Sequence, residues 1–284
     1  MKKVALVLEG GGLRGLYTAG VLDILMEKKI KVDCIIGVSA GALFGINYLS
    51  KQPGRVIRYN KKYCKDKNYM GLHCLIKTGN IMNKDFCFNK LVNELDPFDF
   101  ETFSKSKVKF YATVTNVKTG KAEYIPISNL KDEIEMEYLR ATGSMPLVSK
   151  LVEVNGEKYL DGAVADSIPV LKAMDMGYDK IIVVETRVAN YRMPHKKRPY
   201  AKLWYRKYPN FLNAFINRDK MYNATLDIID KFEKEKKIYV LKPSKYIKIS
   251  RIEKNPDIMD LQYNLGREDC LQHLDELKAY IGGK

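Results

Sequence analysis

Ser39 lies in the sequence GVSAG, with Gly37 and Gly41 two residues on either side of it. This spacing is typical of a nucleophile elbow, in which a strand turns sharply into a helix and exposes the serine hydroxyl, while the glycines let strand and helix approach closely. Ser39 could instead cap the helix that follows, since serine is a preferred N-cap residue. The apolar run before the motif and the helical pattern after it favour the nucleophile.

A glycine-rich turn lies upstream of the serine. It contains Gly10, Gly11, Gly12, Leu13, Arg14 and Gly15. Consecutive glycines let backbone N–H groups point into one space, and a following helix adds the positive end of its dipole, so the turn suits an anionic oxygen. Dinucleotide-binding folds share the GxGxxG spacing, but they need an acidic residue at the end of the second strand. Here Asp33 stands at the start of that strand, which disfavours a nucleotide.

A candidate base for the serine is Asp161, in the motif Asp161-Gly162-Ala163. The motif follows Asn155-Gly156, a pair typical of tight β-hairpins. An Asp-Gly pair most often serves only as a turn. A carboxylate held at the end of a strand can, however, take the proton of an attacking serine hydroxyl.

The hydrophobic pattern predicts the elements that position these residues. Residues 4–8 are typical of a parallel strand buried on both faces, and residues 16–29 of a helix; residues 32–38 and 40–49 repeat this pair. The order predicts α/β layering with right-handed crossovers. Further strands are predicted at 108–117, 122–127, 151–154, 157–160, 180–186 and 237–241, helices with loops at 53–97, and a terminal helix at 260–281 that ends at Gly282-Gly283.

Taken in order, GGGLRG, GVSAG and DGA resemble the motifs of the patatin-like phospholipase family, as found in bacterial-type patatin-like serine hydrolases. The segment ATGSMP, residues 141–146, is also similar to a small-residue-rich segment that precedes the aspartate in that family. The similarity covers residues 4–186. It implies a three-layer α/β/α sandwich with a mostly parallel central sheet.

The resemblance also implies a function, the hydrolysis of acyl esters of lipids by a serine–aspartate dyad with no metal or cofactor. Ser39 would be the nucleophile and Asp161 its general base. Backbone N–H groups at residues 11–13 would form the oxyanion hole, and Arg14 would steady that loop or an anionic head group. The alternatives are an acyltransferase of the same fold, or a non-catalytic protein that binds anionic lipid or phosphate at the glycine turn.

Most serine hydrolases place a histidine between the serine and the acid. The chain has three histidines, His73, His195 and His273. The chain order Ser39, Asp161 and then one of the last two histidines would fit an α/β-hydrolase, but no local signature marks any of them. We therefore expect surface histidines and a two-residue dyad.

Composition indicates the class of protein. The chain has 284 residues, 46% of them hydrophobic and 29% charged, which excludes a disordered tail. No window approaches the roughly 20 apolar residues of a spanning helix, and the apolar run at residues 4–8 is too short for a secretory signal. Five cysteines without a CxxC pair predict neither a disulfide framework nor a zinc site. We expect a cytoplasmic protein whose contact with membranes is peripheral.

The net charge of +15 favours anionic partners: nucleic acid, an acidic membrane or a phosphorylated substrate. Residues 191–209, named here the basic–aromatic segment, hold seven lysines and arginines, the single tryptophan and four tyrosines. The segment suits an acidic bilayer, RNA or a solvated loop. The hydrolase motifs favour phospholipid and membrane over nucleic acid. We expect a catalytic core at residues 1–190 and a helical extension at residues 191–284 that packs on it.

Overall fold

Eight strands form one sheet within residues 2–282, the part of the chain that the computed structural model describes. They are β1 (Val4–Leu8), β2 (Cys34–Val38), β3 (Lys109–Asn116), β4 (Ala122–Pro126), β5 (Val152–Val154), β6 (Glu157–Asp161), β7 (Lys180–Val184) and β8 (Ile238–Leu241). The spatial order is β5-β6-β3-β2-β1-β7-β8, and β4 pairs with β3 on the edge opposite β2. The strands β1, β2, β3, β7 and β8 run parallel, so the sheet is mostly parallel, as predicted.

Helices cover both faces of this sheet. They are α1 (Leu16–Glu27), α2 (Ala40–Leu49), α3 (Arg55–Tyr63), α4 (Leu72–Thr78), a π-helix (Phe86–Leu95), α5 (Phe100–Ser104), α6 (Glu133–Thr142), α7 (Val170–Asp175), α8 (Pro199–Trp204), α9 (Pro209–Ile216), α10 (Arg218–Lys234), α11 (Pro256–Gln272) and α12 (Leu274–Ile281). In β1, Leu6 and Leu8 pack against α1, α2, α11 and α12, whereas Ala5 and Val7 pack against α7 and α10. The predicted three-layer α/β/α sandwich is confirmed, because the central strands are apolar on both faces.

Two predicted hairpins are present. β3 and β4 pair across the turn at residues 118–120. β5 and β6 pair across Asn155 and Gly156, whose φ angles of 51° and 78° are both positive, as the tight turns favoured by Asn-Gly require. The second hairpin matters for the site because β6 ends at Asp161.

The predicted terminal helix is two helices, α11 and α12, so the prediction of one helix over residues 260–281 is wrong. α11 begins earlier because Asn255 accepts a backbone N–H of the first turn through its side chain and Pro256 occupies the first helical position. Gly282, with φ 84°, ends α12, whereas Gly283 lies outside the described residues.

The C-terminal part of the chain contributes to the same layers, since β8 extends the sheet beside β7 and α11 packs along α1. At this helix crossing the two backbones touch. A Cβ at Gly20 would lie 2.1 Å from the carbonyl oxygen of Tyr263, and one at Gly266 would lie 2.0 Å from that of Tyr17. Glycine at both positions therefore permits the closest contact between α1 and α11.

Within residues 2–282, no helix is both long and apolar enough to cross a bilayer. The cysteines at positions 34, 64, 74, 87 and 270 are buried with free thiols. The same range contains no group of three or more histidine, cysteine, aspartate or glutamate side chains arranged to hold a metal ion.

Candidate active site

Ser39 occupies a strained turn between β2 and α2. Its φ of 53° and ψ of −125° form a conformation that an L-residue rarely adopts and that surrounding contacts must hold. The flanking glycines make the turn possible. A Cβ at Gly37 would lie 2.6 Å from Ala42 Cα, and one at Gly41 would lie 2.5 Å from the Leu8 carbonyl oxygen. The turn has the geometry of a nucleophile elbow.

The hydroxyl of Ser39 donates a hydrogen bond to Asp161 Oδ2 at 2.7 Å. The other carboxylate oxygen, Oδ1, accepts the backbone N–H of Ala163 at 2.9 Å. Ser39 and Asp161 are almost fully buried, with 8% and 5% of their surface exposed. The fold thus brings into direct contact two side chains that are 122 positions apart in the sequence.

Strand β3 explains how these two residues meet. β2 and β6 lie one after the other on the same edge of β3, where Val38 pairs with Thr113 and Asp161 pairs with Val114. The carboxyl ends of β2 and β6 therefore face each other at neighbouring positions of one strand. Ser39 follows Val38 directly, which places its hydroxyl beside the carboxylate.

Burial raises the pKa of the Asp161 carboxyl above its ordinary value. The Ala163 N–H, the Ser39 hydroxyl and the positive charges of Arg218 and Arg251 act in the opposite direction. Burial makes the carboxylate a stronger base than it is in water, while the donors and charges favour its ionised form. This environment suits a group that accepts a proton from the serine.

Thr142, the last residue of α6, holds the elbow from a third side. The N–H of Ser39 donates to Thr142 Oγ1 at 2.8 Å, and the Thr142 hydroxyl donates to the carbonyl oxygen of Thr113 at 2.5 Å. Thr142 is fully buried. Its contact with the serine is not evident from the sequence, where only the small-residue character of residues 141–146 stands out.

The glycine turn lies directly against the elbow. A Cβ at Gly10 would lie 2.9 Å from Ser39 Cβ. Gly15 packs on the first residue of α2, since a Cβ there would lie 3.2 Å from Ala40 Cβ. Gly12 has a left-handed φ of 59°, which a side chain would strain. The two motifs therefore form one surface around the serine hydroxyl.

Within residues 2–282, the backbone N–H groups of Gly10, Gly11 and Gly12 have no acceptor. The N–H of Leu13 donates to the carbonyl oxygen of Arg251 at 3.0 Å. We expected the N–H groups of residues 11–13 all to be available as oxyanion-hole donors. The structure differs, because a loop distant in sequence accepts the N–H of Leu13. Arg14 follows in the same turn, and its Nε is buried without a partner in the described residues.

An apolar pocket opens beside the serine. The empty space in and above it is about 940 Å³, a figure that includes open solvent. The lining includes Ser39, Leu43, Phe44, Leu91, Phe98 and Met136. One wall comes from the π-helix Phe86–Leu95, a rare element that occurs frequently at functional sites. A pocket of this composition suits a hydrocarbon chain.

Comparison with protein families is consistent with this geometry. The family model named patatin-like phospholipase matches residues 6–174, more than half of the chain. The chain belongs to the patatin-like phospholipase family. The resemblance carried by the three motifs is thereby confirmed. A second family model, a domain of unknown function named DUF6363, matches residues 208–282.

Relatives of this patatin-like protein include YjjU, an uncharacterised protein of Escherichia coli K12. It is 25% identical over an alignment of 280 positions that covers 93% of this chain and 75% of YjjU. A lysophospholipase of Emericella nidulans, nte1, is 28% identical over an alignment of 195 positions that covers 65% of this chain but only 12% of the fungal protein. Among solved structures, VipD from Legionella pneumophila is similar with a TM-score of 0.46 and 13% identity, covering 97% of this chain and 67% of VipD.

The three histidines of this patatin-like protein lie away from the dyad, and none is bonded to either member. His195 Nδ1 contacts Asp219 Oδ2 at 3.0 Å, and His273 Nδ1 lies 3.3 Å from the hydroxyl of Tyr239. His73 lies on α4 and is exposed.

Arg218, beyond the patatin match, reaches the aspartate turn from α10. Its Nε donates to the carbonyl oxygen of Ala163 at 2.5 Å, and its Nη2 donates to Ser167 Oγ at 3.3 Å. Its positive charge also favours the ionised form of Asp161. The sequence gives no signal for this role, because Arg218 is 57 positions from the aspartate and belongs to no motif.

Proposed function

We propose that this protein is a lipid acyl hydrolase in which Ser39 is the nucleophile and Asp161 the general base. The observation that carries the proposal is the 2.7 Å hydrogen bond from the hydroxyl of Ser39, which lines an apolar pocket, to the buried Asp161 carboxylate. Membership of the patatin-like phospholipase family supports the same class of reaction.

The dyad performs both halves of the reaction. As Ser39 Oγ attacks the ester carbonyl carbon, its proton passes to Asp161 Oδ2, and the aspartic acid then returns that proton to the leaving alkoxide. The product of this half is an acyl-serine ester and a free alcohol. Water next attacks the acyl-enzyme, giving its proton to the same carboxylate, and the fatty acid leaves as Ser39 regains its hydrogen.

The backbone N–H groups of Gly11 and Gly12 are the proposed oxyanion donors. They lie in the turn that contacts the elbow, and no acceptor within the described residues competes for them. A donor fixed before the reaction begins stabilises the tetrahedral oxyanion by about 3–4 kcal/mol when judged by its removal. The Leu13 N–H serves a structural purpose instead, since it fixes the loop that carries Arg251.

A covalent probe tests the nucleophile. A fluorophosphonate is expected to label the wild-type protein and not Ser39→Ala, because the probe forms a bond only with an activated serine. Ser50→Ala is a matched control, since Ser50 is also buried but lies at the other end of α2. Labelling that persists in Ser39→Ala, or its absence from the wild type, would contradict the proposal.

Turnover tests the reaction. With p-nitrophenyl butyrate and a diacyl phospholipid, we expect Ser39→Ala and Asp161→Asn each to lose at least about a thousandfold in kcat. Far-ultraviolet circular dichroism establishes that both variants are folded. Full activity in either folded variant would contradict the proposed Ser39–Asp161 mechanism.

We further propose that the basic–aromatic segment contacts the surface of an anionic bilayer. Its helix α8 exposes Tyr200, Leu203 and Trp204 by 75%, 67% and 65%, while Tyr205 is buried in the core. Aromatic side chains favour the membrane interface, and each basic residue near it contributes about 1 kcal/mol with anionic lipid. Trp204→Ser is expected to weaken co-sedimentation with phosphatidylglycerol vesicles, whereas Leu261→Ser, at an exposed position of α11, is the control. Equal binding to phosphatidylcholine vesicles would contradict the proposal.

A further inference from the structure

The apolar pocket beside Ser39 follows one side of α2. Ala40, Leu43 and Ile46, each about one turn after the last, all line it. Because the helix rises 1.5 Å per residue, Ile46 lies about 10 Å along α2 from Ser39. The pocket therefore extends from the reacting hydroxyl at least as far as the side chain of Ile46.

Aromatic side chains lie at this far end of the pocket. Phe98 and Phe100 both line it, and their ring centroids are 5.1 Å apart in an edge-to-face arrangement. The guanidinium of Arg55 lies 5.3 Å from the Phe98 centroid and donates to Asn47 Oδ1 at 3.1 Å. Phe98 is therefore held beside the turn of α2 that carries Ile46, between groups that are themselves fixed.

A second cavity lies behind these rings. Its lining includes four buried apolar side chains, those of Leu49, Phe103, Phe110 and Ile127. The exposed Lys107 also lines it, so this cavity reaches the protein surface. Among the described residues, none lines both this cavity and the pocket beside the serine. The two spaces are therefore separate.

The partition between the two cavities is thin. Phe98 on the pocket side and Phe103 on the other side have ring centroids 5.7 Å apart, a distance at which two rings are in contact. Ile46 and Leu49 lie about one turn apart on α2 and line different cavities. All four side chains belong to one core cluster, so no hydrocarbon chain passes between them. We name Phe98 and Phe103 the aromatic wall.

On the basis of the function proposed above, we propose that the aromatic wall ends the acyl site and sets the length of the acyl chain that the enzyme hydrolyses. A carbon–carbon bond is about 1.5 Å long, so a zigzag chain of about eight carbons spans the roughly 10 Å between Ser39 and Ile46. Shorter chains leave apolar surface of the pocket uncovered, whereas longer chains meet the wall. The substrate class is therefore esters of medium-chain fatty acids.

A series of p-nitrophenyl esters tests the chain length. We expect wild-type kcat/KM to rise from butanoate to octanoate and to be at least about tenfold lower for dodecanoate than for octanoate. Phe103→Ala removes the ring behind Phe98, which can then turn toward the second cavity and lengthen the pocket. The dodecanoate-to-octanoate ratio is therefore expected to rise at least about tenfold. A wild-type rate that keeps rising through dodecanoate, or an unchanged ratio in Phe103→Ala, would overturn the proposal.

Phe211→Ala is the matched control. Phe211 is as buried as Phe103 but belongs to a separate core cluster with Tyr205 and Phe215. Its ratio is expected to stay at the wild-type value, and an equal rise in both variants would overturn the proposal. Each ratio is measured on one sample, so it does not depend on the folded fraction. Leu49→Ala is a milder change behind the same end of the pocket and is expected to raise the ratio even if Phe103→Ala does not fold.

Binding to Ser39→Ala separates this proposal from the hydrolase proposal. By calorimetry, Ser39→Ala is expected to bind 1-octanol at least about tenfold more tightly than 1-dodecanol, although each added methylene favours the longer chain wherever there is room for it. Tighter binding of 1-dodecanol would overturn the closed acyl site. The expected preference without fluorophosphonate labelling of the wild type would support the aromatic wall while contradicting the hydrolase.

Discussion

The carbonyl oxygen of Thr113 contacts Gly162 so closely that a Cβ at Gly162 would lie 2.1 Å from it. The same oxygen accepts the hydroxyl of Thr142, which in turn accepts the N–H of Ser39. One peptide group of β3 thus contacts both the turn after the aspartate and the residue that holds the serine. The relative position of the dyad depends on this contact.

Gly162→Ala is expected to lower kcat by about a hundredfold or more, because the methyl group must push the aspartate turn away from β3 and a displacement of 1 Å at a reacting group can cost that much. Steady-state hydrolysis of p-nitrophenyl butyrate measures the effect. Gly156→Ala is the control: it strains a left-handed turn with open space around it and should cost only about 1–2 kcal/mol in stability. Similar kcat losses in both variants would contradict the explanation.

Thr142→Val keeps the shape of the side chain but removes the acceptor for the Ser39 N–H and the donor to Thr113. Each buried polar group left unpaired costs about 1–3 kcal/mol, so we expect a comparable fall in the free energy of unfolding, measured with urea. Thr142→Ser retains the hydroxyl and should recover most of the loss. If valine is as stable as threonine here, the hydrogen bonds do not hold the elbow.

Arg218→Gln is expected to move the acid limb of the kcat/KM profile to higher pH. The Arg218 charge lowers the pKa of Asp161, so its removal leaves more of the carboxyl protonated at a given pH, and the protonated form cannot act as base. Arg218→Lys keeps the charge and should keep the limb near its wild-type position. A uniform loss of rate without a shift would indicate a purely structural role.

Glu185→Gln is expected to raise the free energy of unfolding, relative to wild type, by more at pH 8 than at pH 5. Burial and the charge of Glu9 raise the pKa of Glu185 to about 8, and Glu233 and Asp230 act in the same direction while Lys242 opposes them. When a carboxyl has a higher pKa in the folded protein than in the unfolded chain, the free energy of unfolding falls as pH rises from the unfolded-state pKa toward the folded-state pKa. The fall is at most about 1.4 kcal/mol per pH unit. Urea unfolding of both proteins at pH 5 and pH 8 measures the difference, and identical pH slopes would contradict the assignment.

The three motifs could be predicted from the sequence because each is a local pattern with a local physical cause. The glycines around Ser39 are required by a turn five residues long, and Asp161 follows a hairpin that Asn155-Gly156 encodes by itself. The alternation of strand and helix then determines the layers. These patterns do not predict the register of strand pairing. The pairing of β2 and β6 with β3 brings the serine and the aspartate together.

Thr142, Arg218 and Arg251 could not be predicted because each acts through contacts that only the folded structure makes. Arg251 lies in a polar loop that composition alone would leave in solvent, yet its carbonyl fixes the glycine turn. The π-helix is similarly hidden, since its apolar pattern is close to that of an ordinary helix. The start of α11, by contrast, is encoded locally by Asn255 at the N-cap and Pro256 at the first helical position.

The close approach of α1 and α11 at Gly20 and Gly266 has a consequence for how this molecule can be divided. A chain shortened to residues 1–190 would lack α11, and the apolar side of α1, directly behind the glycine turn, would face water. We expect such a fragment to aggregate instead of behaving as a small esterase. The two regions matched by separate family models would then have to be expressed together, and they would unfold in one cooperative transition.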